Sequence, residues 1–233
     1  MKLLLVGHGK MGQLVGTLAP QYGCEVAGVI DPASPLHGGG PGSDRWDGVD
    51  VAIDFSTPDA VVTNAETLMA RGINLVVGTT GWSTHEAVLR QAAAAAGAGI
   101  VVAPNFSTGV LLFEALVAHA ARLFAPQSEF APFLHEAHHS AKTDAPSGTA
   151  LLLKHAMEQA GLTRRIDISS TRAGFIPGTH TVGFDGPAET LTLTHTARDR
   201  TAFARGALTA ARWVHGKRGW FTMRDVLGVG EGG

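Results

Sequence analysis

The N-terminal segment carries the pattern that most restricts how this chain can fold. A short apolar run, Leu3–Val6, leads directly into Gly7-His8-Gly9-Lys10-Met11-Gly12, which matches G-x-G-x-x-G. Helical spacing follows, and a second apolar run, Val26–Ile30, ends at Asp31, nineteen residues after Gly12. A buried strand, a glycine turn, a helix, a second strand and an acid are the parts of a dinucleotide-binding βαβ unit. The residues predicted to bind the dinucleotide are Gly7, His8, Gly9, Lys10, Met11, Gly12 and Asp31.

The three glycines and the acid each have a separate physical purpose in such a unit. The first glycine permits the tight turn, the second lets a pyrophosphate approach the backbone, and the third lets the helix pack closely on the strand. The acid can accept hydrogen bonds from the adenine ribose, and no Arg or Lys stands in the Pro32-Ala33-Ser34 segment that follows it. Because a carboxylate repels a 2′-phosphate, the sequence favours NADH over NADPH as the cofactor.

Strand and helix patterns keep alternating to about residue 107. Apolar runs at 49–55, 73–77 and 100–103 predict three more strands, and 32–48 is predicted as a flexible surface loop. This rhythm predicts an α/β domain over 1–107, built on a Rossmann-type doubly wound parallel sheet. Ligands of such sheets lie beyond the carboxyl ends of the strands. The further cofactor contacts predicted at those ends are Gly78, Thr79, Thr80, Ala103, Pro104, Asn105 and Phe106.

The pattern changes in the second part of the chain. A helix at 109–124 and an extended segment at 130–137 are followed by another helix and three β-like runs. The last run, 190–196, alternates apolar and polar residues, which is typical of a sheet with one exposed face. We therefore predict a second, α+β domain over 108–205 that carries a mixed, mostly open sheet.

Composition excludes several classes of partner and location. The formal net charge of −2 gives no electrostatic basis for binding nucleic acid or an acidic membrane surface. Cys24 is the single cysteine, so no internal disulfide can form, and a reducing compartment is expected. No apolar run approaches the length of a membrane span. The sequence predicts a cytoplasmic protein without a membrane segment.

Residues 135–150 concentrate imidazoles, an ammonium group and a helix start, and three interpretations compete for them. His135-Glu136-Ala137-His138-His139 matches H-E-x-x-H, the pattern of zinc hydrolases, in which both histidines must lie on one face of a helix. Pro132 and the aromatic residues around it favour a strand, so we predict no metal site. A second interpretation is structural, with two adjacent histidines hydrogen-bonded in a core or facing solvent.

The third interpretation is a site for binding carboxylates and transferring protons. Ser147-Gly148-Thr149 begins an apolar helix and presents backbone N–H groups and hydroxyls to an anion. Lys142 can pair with a carboxylate or donate a proton, and a histidine can share that proton. Beside a nicotinamide, these groups describe the reduction of a small substrate that carries carboxylates. A dinucleotide-binding sensor without turnover is an alternative, but it has no need for Lys142 beside two histidines.

The same residues carry a family resemblance. Glu136-Ala137-His138-His139, Lys142 and Asp144-Ala145-Pro146-Ser147-Gly148-Thr149-Ala150 resemble the signature of the 4-hydroxy-tetrahydrodipicolinate reductases. Similar segments follow the family's order through the chain: Gly78-Thr79-Thr80-Gly81, Asn105-Phe106-Ser107, Gly178-x-His180-Thr181-Val182 and Met223-Arg224-Asp225-Val226-Leu227. The resemblance implies that NAD(P)H reduces 4-hydroxy-tetrahydrodipicolinate to tetrahydrodipicolinate, with hydride added to C4 and loss of water, in lysine and diaminopimelate biosynthesis. Many members read G-x-x-G-x-M-G in the first loop, where this chain has the shorter form.

The resemblance also implies roles for individual residues and an assembly. His138 and Lys142 take the catalytic positions, and which of them delivers the proton stays open. The substrate-binding positions are His139, Ser147, Gly148, Thr149 and Arg200. The resemblance further implies a homotetramer formed through the second domain, and a C-terminal segment, 206–233, that returns to the nucleotide-binding domain.

Overall fold

The structure is a computed structural model, and it describes residues 1–229. The first elements in the chain are β1 Lys2–Val6, α1 Lys10–Leu18, β2 Glu25–Ile30, β3 Val51–Asp54, α2 Pro58–Ala70, β4 Asn74–Val77, α3 Glu86–Ala96 and β5 Gly99–Val102. They are followed by α4 Thr108–Phe124, β6 Ala131–His138, α5 Gly148–Gln159, β7 Asp167–Arg172, β8 Thr179–Asp185, β9 Thr190–Thr196, α6 Thr201–Val214, β10 Gly219–Phe221 and α7 Met223–Leu227. No helix within residues 1–229 is long and apolar enough to cross a membrane.

The first sheet confirms the predicted doubly wound architecture. Its six strands run in the order β10-β5-β4-β3-β1-β2, and every neighbouring pair is parallel. Strands β3 and β4 are buried at every position, as expected for strands covered by helices on both faces. The carboxyl ends of β1, β3, β4 and β5 therefore meet at one edge of the sheet, where the predicted cofactor residues lie.

The sixth strand, β10, comes from a tail for which the sequence predicted packing but no strand. It pairs with β5, with Trp220 opposite Ile100. The buried Asn74 side chain fixes the approach of this segment, because its Nδ2 donates to the carbonyls of Val214 and Lys217, each at 2.8 Å. A pairing between segments so far apart in sequence leaves no local pattern that could predict it.

The second sheet confirms the predicted mixed topology. Its order is β7-β6-β8-β9, with β6 parallel to β7 and the other pairs antiparallel. A hydrophobic cluster covers one face, with Leu134 and Val182 from the sheet packed against Val117 of α4 and Leu153 of α5. Strand β9 is exposed or half-buried along its whole length, so this sheet is open on its other side.

The chain forms two compact units. One unit contains Met1–Thr108 and the chain from Thr201 onward, and the other contains Gly109–Arg200. The predicted returning segment, 206–233, overlaps the first unit, and its last four residues lie outside the described part of the chain.

The segment 32–48 is exposed or half-buried as predicted for a surface loop, except at Trp46. Trp46 is buried in it, and its indole N–H donates to the carbonyl of Gly40 at 2.7 Å. A Cβ added at Gly28 or Gly38 would lie 2.3 or 2.5 Å from the indole ring, so both glycines make room for it. The Trp46 side chain therefore anchors the loop to the first unit.

Candidate active site

The turn between β1 and α1 has the close packing that the glycine pattern predicts. Gly7 has a φ of +88°, and its amide donates to the carbonyl of Ile30 at 2.8 Å. A Cβ at Gly12 would lie 2.1 Å from the carbonyl oxygen of Gly7. Residues with side chains cannot occupy either position without moving the backbone, because the left-handed conformation and the short contact both exclude a Cβ.

The start of α1 offers donors for an anion. Gly9 precedes the helix in an extended conformation, and no side chain in the described structure caps it. A Cβ added at Gly9 would have no atom within 4 Å, so space lies in front of the turn. Uncapped N–H groups at a helix start, facing open space, fit the pyrophosphate of a dinucleotide.

A cleft brings the glycine turn together with the loop after β4. Its volume is about 480 Å³. The lining residues are Gly9, Lys10, Met11, Phe55, Ser56, Pro58, Gly78, Thr79 and Thr80. Six of these were predicted as cofactor contacts, whereas Phe55, Ser56 and Pro58 were not. These three residues lie at or just after the end of the apolar run that predicts β3, and this position at the end of a strand could have identified them.

Asp54, at the end of β3, ties two of these loops together and was also not predicted. One oxygen of its buried carboxyl group accepts hydrogen bonds from the Ser56 amide at 2.9 Å, the Ser56 hydroxyl at 2.7 Å and the Thr79 hydroxyl at 2.8 Å. Burial raises the pKa of Asp54 although these hydrogen bonds oppose the rise. The carboxyl group thus fixes the two side chains that line the cleft from β3 and β4.

Asp31 lies at the end of β2, next to the glycine turn. Its two carboxylate oxygens accept from the amides of His8 at 2.7 Å and Ala33 at 3.0 Å. These hydrogen bonds lower the pKa of Asp31, so the group is ionised at neutral pH. The His8 imidazole lies 3.0 Å from the Ser34 hydroxyl, which places His8 beside the same carboxylate.

The predicted contacts after β5 divide into exposed and buried residues. Pro104 is exposed and Asn105 is half-buried, whereas Ala103 and Phe106 are buried. The Phe106 ring packs edge-on against Phe55, with 6.0 Å between centroids. A ligand contact at Phe106 would therefore involve its backbone, because the side chain is part of the core.

The first four residues of the H-E-x-x-H motif lie on strand β6 and His139 directly follows it, so the motif lacks the helix that the zinc-hydrolase geometry requires. His135 and Glu136 point to opposite faces of β6, and the His135 imidazole lies 2.9 Å from the Ser169 hydroxyl. Residues four apart on a strand are separated by about 13 Å, so His135 and His139 cannot bind one metal ion.

Glu136 and His138 instead form a buried pair on the inner face of β6. One carboxylate oxygen of Glu136 is hydrogen-bonded to Nδ1 of His138, and the other accepts from Nη2 of Arg172 at 2.6 Å. Burial alone would raise the pKa of Glu136, but hydrogen bonds from Arg172, Ser170 and His138 outweigh it and lower the pKa to about 2. Glu136 is therefore an ionised carboxylate with no exposed surface.

Strand pairing explains this network, and it also explains why the sequence did not predict it. In the sheet, Glu136 lies opposite His180 of β8, and His138 lies opposite Arg172 of β7. The Glu136–Arg172 pair spans 36 residues of sequence. By sequence pattern alone Glu136 fits the base of a zinc site, and no local pattern gives Arg172 a role.

His180 connects this network to the start of α5. Its ring packs edge-on against His138, with 5.1 Å between centroids, and its Nε2 lies 3.0 Å from the Ser147 hydroxyl. Ser147 caps α5, because its hydroxyl accepts from the amide of Ala150 at 3.2 Å. Gly148 is exposed and would have no atom within 4 Å of an added Cβ, while Thr149 is half-buried. The predicted anion-binding helix start is thus open.

Lys142 lies in the loop that joins β6 to α5. Its Nζ donates to both carboxylate oxygens of Asp144, at 2.7 and 2.9 Å, and this bond lowers the pKa of Asp144. Arg172 holds the same loop, since its Nη2 also donates to the Asp144 carbonyl at 2.6 Å. The structure thus brings Lys142 and His138 into one network through Asp144, Arg172 and Glu136.

Two predicted substrate residues lie outside this network. His139 is half-buried and directly follows β6, where its carbonyl accepts from the Lys142 amide at 3.1 Å. Arg200 is exposed in the turn before α6, and within residues 1–229 no hydrogen bond or ion pair joins it to His138 or Lys142.

Glu136, His138 and His180 also place three potential metal-ligand atoms within 4.8 Å of one another. Both Glu136 oxygens already accept hydrogen bonds, one of them from the Arg172 cation, and Nε2 of His180 is bonded to Ser147. A guanidinium group that shares the carboxylate repels a second cation. The geometry therefore favours a hydrogen-bonded network over a metal centre.

The buried His180 should make stability depend on pH. Burial, followed by the charge of His138, lowers the pKa of His180 from 6.5 to about 4. The unfolded chain then binds more protons than the folded chain between these values, so stability is lost as pH falls from 6.5 towards 4. The expected loss from this group is on the order of 3 kcal/mol.

Urea unfolding of the wild type and of His180→Gln at pH 7 and pH 5 measures this contribution. We expect the variant to lose less stability than the wild type over that interval. His119→Gln, an exposed histidine on α4, is the matched control and should keep the wild-type dependence. The same dependence in His180→Gln as in the wild type would contradict the prediction.

Two family descriptions match this chain. "Dihydrodipicolinate reductase, N-terminus" covers residues 1–106, and "Dihydrodipicolinate reductase, C-terminus" covers residues 109–227. The chain belongs to the dihydrodipicolinate reductase family. This confirms the resemblance seen in the sequence and assigns the chain to oxidoreductases that use a pyridine nucleotide. The zinc-hydrolase and sensor alternatives receive no support.

Relatives across bacteria give the extent of the similarity. The 4-hydroxy-tetrahydrodipicolinate reductase of Methylococcus capsulatus is 40% identical over 225 residues, which cover 88% of this chain and 82% of that protein. The reductase of the same name from Christiangramia forsetii is 34% identical over 239 residues, covering 97% and 98%. A solved structure, dipicolinate-bound dihydrodipicolinate reductase from Paenisporosarcina sp. TG-14, shares the fold of this dihydrodipicolinate reductase family member. It has a TM-score of 0.83 at 22% identity and covers 95% of this chain and 97% of that one.

Proposed function

We propose that this chain reduces 4-hydroxy-tetrahydrodipicolinate to tetrahydrodipicolinate with NAD(P)H, in lysine and diaminopimelate biosynthesis. The observation that carries the proposal is the buried Glu136–His138–Arg172 network, which His180 joins to the open start of α5. Proton-donating groups next to an anion-binding helix start suit a cyclic dicarboxylate that must gain hydride and release water.

Each unit has a separate task in this proposal. Residues 1–107, with the returning segment 206–233, bind the cofactor, and residues 108–205 bind the substrate and supply protons. When bound, NAD(P)H supplies the hydride that adds to C4 of the substrate. The 4-hydroxyl group leaves as water, so each turnover consumes one proton in addition to the hydride. His138 and Lys142 are the groups that deliver and relay this proton.

The substrate carboxylates bind to groups of opposite charge and to hydrogen-bond donors at the start of α5. One carboxylate accepts from the backbone N–H groups and hydroxyls of Ser147, Gly148 and Thr149, where the helix dipole adds favourable charge. His139 and Arg200 supply further contacts. The Lys142 ammonium is already paired with Asp144, and a substrate carboxylate competes for it.

A coupled assay tests the activity directly. Dihydrodipicolinate synthase generates the substrate, and the absorbance of NADH or NADPH is followed after this protein is added. We expect oxidation that depends on both proteins. If neither nucleotide is oxidised, the proposed function is wrong.

We propose NADH as the favoured cofactor because of the Asp31 carboxylate. It is ionised, and two backbone amides hold it in place beside the glycine turn. We expect kcat/KM for NADH to exceed that for NADPH in the wild type. In Asp31→Asn the ratio should shift towards NADPH by about tenfold, since removing one like charge near a phosphate is worth roughly 1–2 kcal/mol at a surface.

Steady-state kinetics with both nucleotides measures this ratio. Asp59→Asn, on α2, removes a charge from the same unit and serves as the control, which should leave the ratio unchanged. A wild-type preference for NADPH would refute the argument from Asp31.

We also propose that the chain forms a homotetramer in the cytoplasm, where NADH is available. Support for the assembly comes from the open face of the second sheet, on which threonine hydroxyls of β8 and β9 pair across the strands. Thr181 and Thr194 lie 3.0 Å apart, and Thr179 and Thr196 lie 3.1 Å apart. Sedimentation velocity measures the assembly against the 24.2 kDa mass of one chain.

A further inference from the structure

We propose that Glu136 is a positioning residue for the reaction, whose carboxylate holds the His138 imidazole with its proton on Nδ1 and leaves Nε2 to exchange the proton. This inference rests on the proposed function, in which His138 takes part in proton transfer. The sequence resemblance gave Glu136 no role, and the zinc motif gave it a different one.

The burial and the partners of Glu136 determine its charge state. The side chain is fully buried, and a buried carboxylate persists only when it is paired and hydrogen-bonded. Arg172 provides the cation at 2.6 Å, and the Ser170 side chain provides a further hydrogen bond. Glu136 is therefore ionised, and an ionised carboxylate can only accept hydrogen bonds.

The charge of Glu136 determines the tautomer of His138. Its Nδ1 is hydrogen-bonded to Glu136, which has no proton to give. Nδ1 must then carry the hydrogen, and in the neutral ring Nε2 is the acceptor. The same carboxylate stabilises the imidazolium that forms when Nε2 takes up a proton.

Nε2 of His138 lies beside Gly178. Gly178, directly before β8, has a φ of +140°, and a Cβ there would lie 3.1 Å from Nε2 of His138. Any other residue at 178 would press a side chain against this nitrogen. A glycine at 178 puts no side chain against Nε2, while Glu136 occupies the Nδ1 edge.

Charged and titratable groups from several elements surround His138. Glu136 faces it from its own strand, Arg172 from β7, His180 from β8, and Lys142 from the following loop. Burial, Lys142 and Arg172 lower the pKa of His138, and Glu136 opposes them. Removing the Glu136 charge should therefore lower the pKa of His138 further and weaken its ability to hold a proton.

The tautomer can be measured without any turnover. Long-range ¹H–¹⁵N spectra of protein labelled at histidine nitrogens distinguish Nδ1–H from Nε2–H imidazoles, and the His138→Gln spectrum identifies the signals of His138. We expect wild-type His138 to carry its proton on Nδ1 at a pH where the ring is neutral. An Nε2–H tautomer would overturn the inference, even if the reductase activity were established.

Kinetics of Glu136→Gln provide the second test. The substitution keeps the shape but removes the charge, and we expect kcat to fall by at least about tenfold, a large part of what acid–base catalysis contributes. KM should change much less. In the His138→Gln background the same substitution should cause no further loss, because Glu136 acts through His138. An equal loss in both backgrounds would show a general structural role and overturn the inference.

The pH profile and a control complete the test. The inflection of kcat that disappears in His138→Gln should move to lower pH in Glu136→Gln. Glu158→Gln, which removes an exposed carboxylate on α5, should leave kcat unchanged. If Glu136→Gln does not fold, the wild-type tautomer alone decides the inference. If the wild type oxidises no nucleotide, the proposed function fails, and the tautomer measurement still stands separately.

Discussion

Replacing Lys142 by alanine should lower kcat by roughly 10²–10⁴-fold, the usual contribution of a positioned proton donor. The side chain is only 24% exposed, and its ammonium group is held by both oxygens of Asp144 in the loop before α5. That placement keeps the ammonium beside the Glu136–His138 network, where the substrate is proposed to bind. Lys142 belongs to the second unit and the glycine turn to the first, so the Kd for NADH should stay within about twofold of the wild type.

Steady-state kinetics measure kcat, and a fluorescence titration measures the Kd for NADH, so the two effects can be separated. Lys154→Ala is the matched control, because Lys154 lies on α5 and forms an exposed ion pair with Glu158 at 3.5 Å. That variant should keep wild-type turnover, since exposed pairs contribute at most about 1 kcal/mol. Turnover of Lys142→Ala near the wild-type value would remove Lys142 from the proton-transfer role.

Two single-methyl substitutions in the first loop should separate folding from cofactor binding. In Gly12→Ala the new Cβ would lie 2.1 Å from the Gly7 carbonyl oxygen, a backbone atom that cannot rotate away. We expect the free energy of unfolding to fall by at least about 1–3 kcal/mol, as for other overpacked sites. Gly9→Ala meets no atom within 4 Å and has an extended backbone that alanine adopts freely, so it should cost less than about 1 kcal/mol.

For NADH affinity, we expect Gly9→Ala to have a larger effect than Gly12→Ala. The Cβ of Gly9→Ala would stand where we propose that the pyrophosphate approaches the amides of α1, so the Kd for NADH should rise by about tenfold or more. Urea unfolding and NADH titration of both variants, with the wild type alongside, measure stability and affinity. Unchanged NADH affinity in Gly9→Ala would show that the cofactor does not approach the turn at this position.

The sequence alone predicted the features that depend on neighbouring residues. Short apolar runs with glycine turns gave the parallel sheet, because strand burial and turn conformation are set within a few positions. Ser147 was predicted to begin a helix, and its hydroxyl does cap α5. The family followed from the contiguous motif between Glu136 and Ala150, and the family descriptions that match residues 1–106 and 109–227 confirm it.

Strand register decided what the sequence could not. Glu136 belonged by pattern to a zinc motif, yet pairing with β7 and β8 places it between Arg172 and His138 and opposite His180. Arg172 lies 36 residues from Glu136 in the sequence, and His180 lies 44 residues from it. A shift of one residue in the strand register would turn these partners to the other face of the sheet. The sequence also did not predict the role of Asp54, which holds the loops of the cleft, or the existence of strand β10. Their partners also lie far away in the sequence.

The sequence was therefore sufficient to predict the glycine turn near the N-terminus and the polar segment 135–150. Each of these features depends on residues that are adjacent in the chain. Tertiary structure alone decided which charge faces which imidazole. Hydrogen bonds between side chains from different strands depend on a register that only the folded sheet establishes.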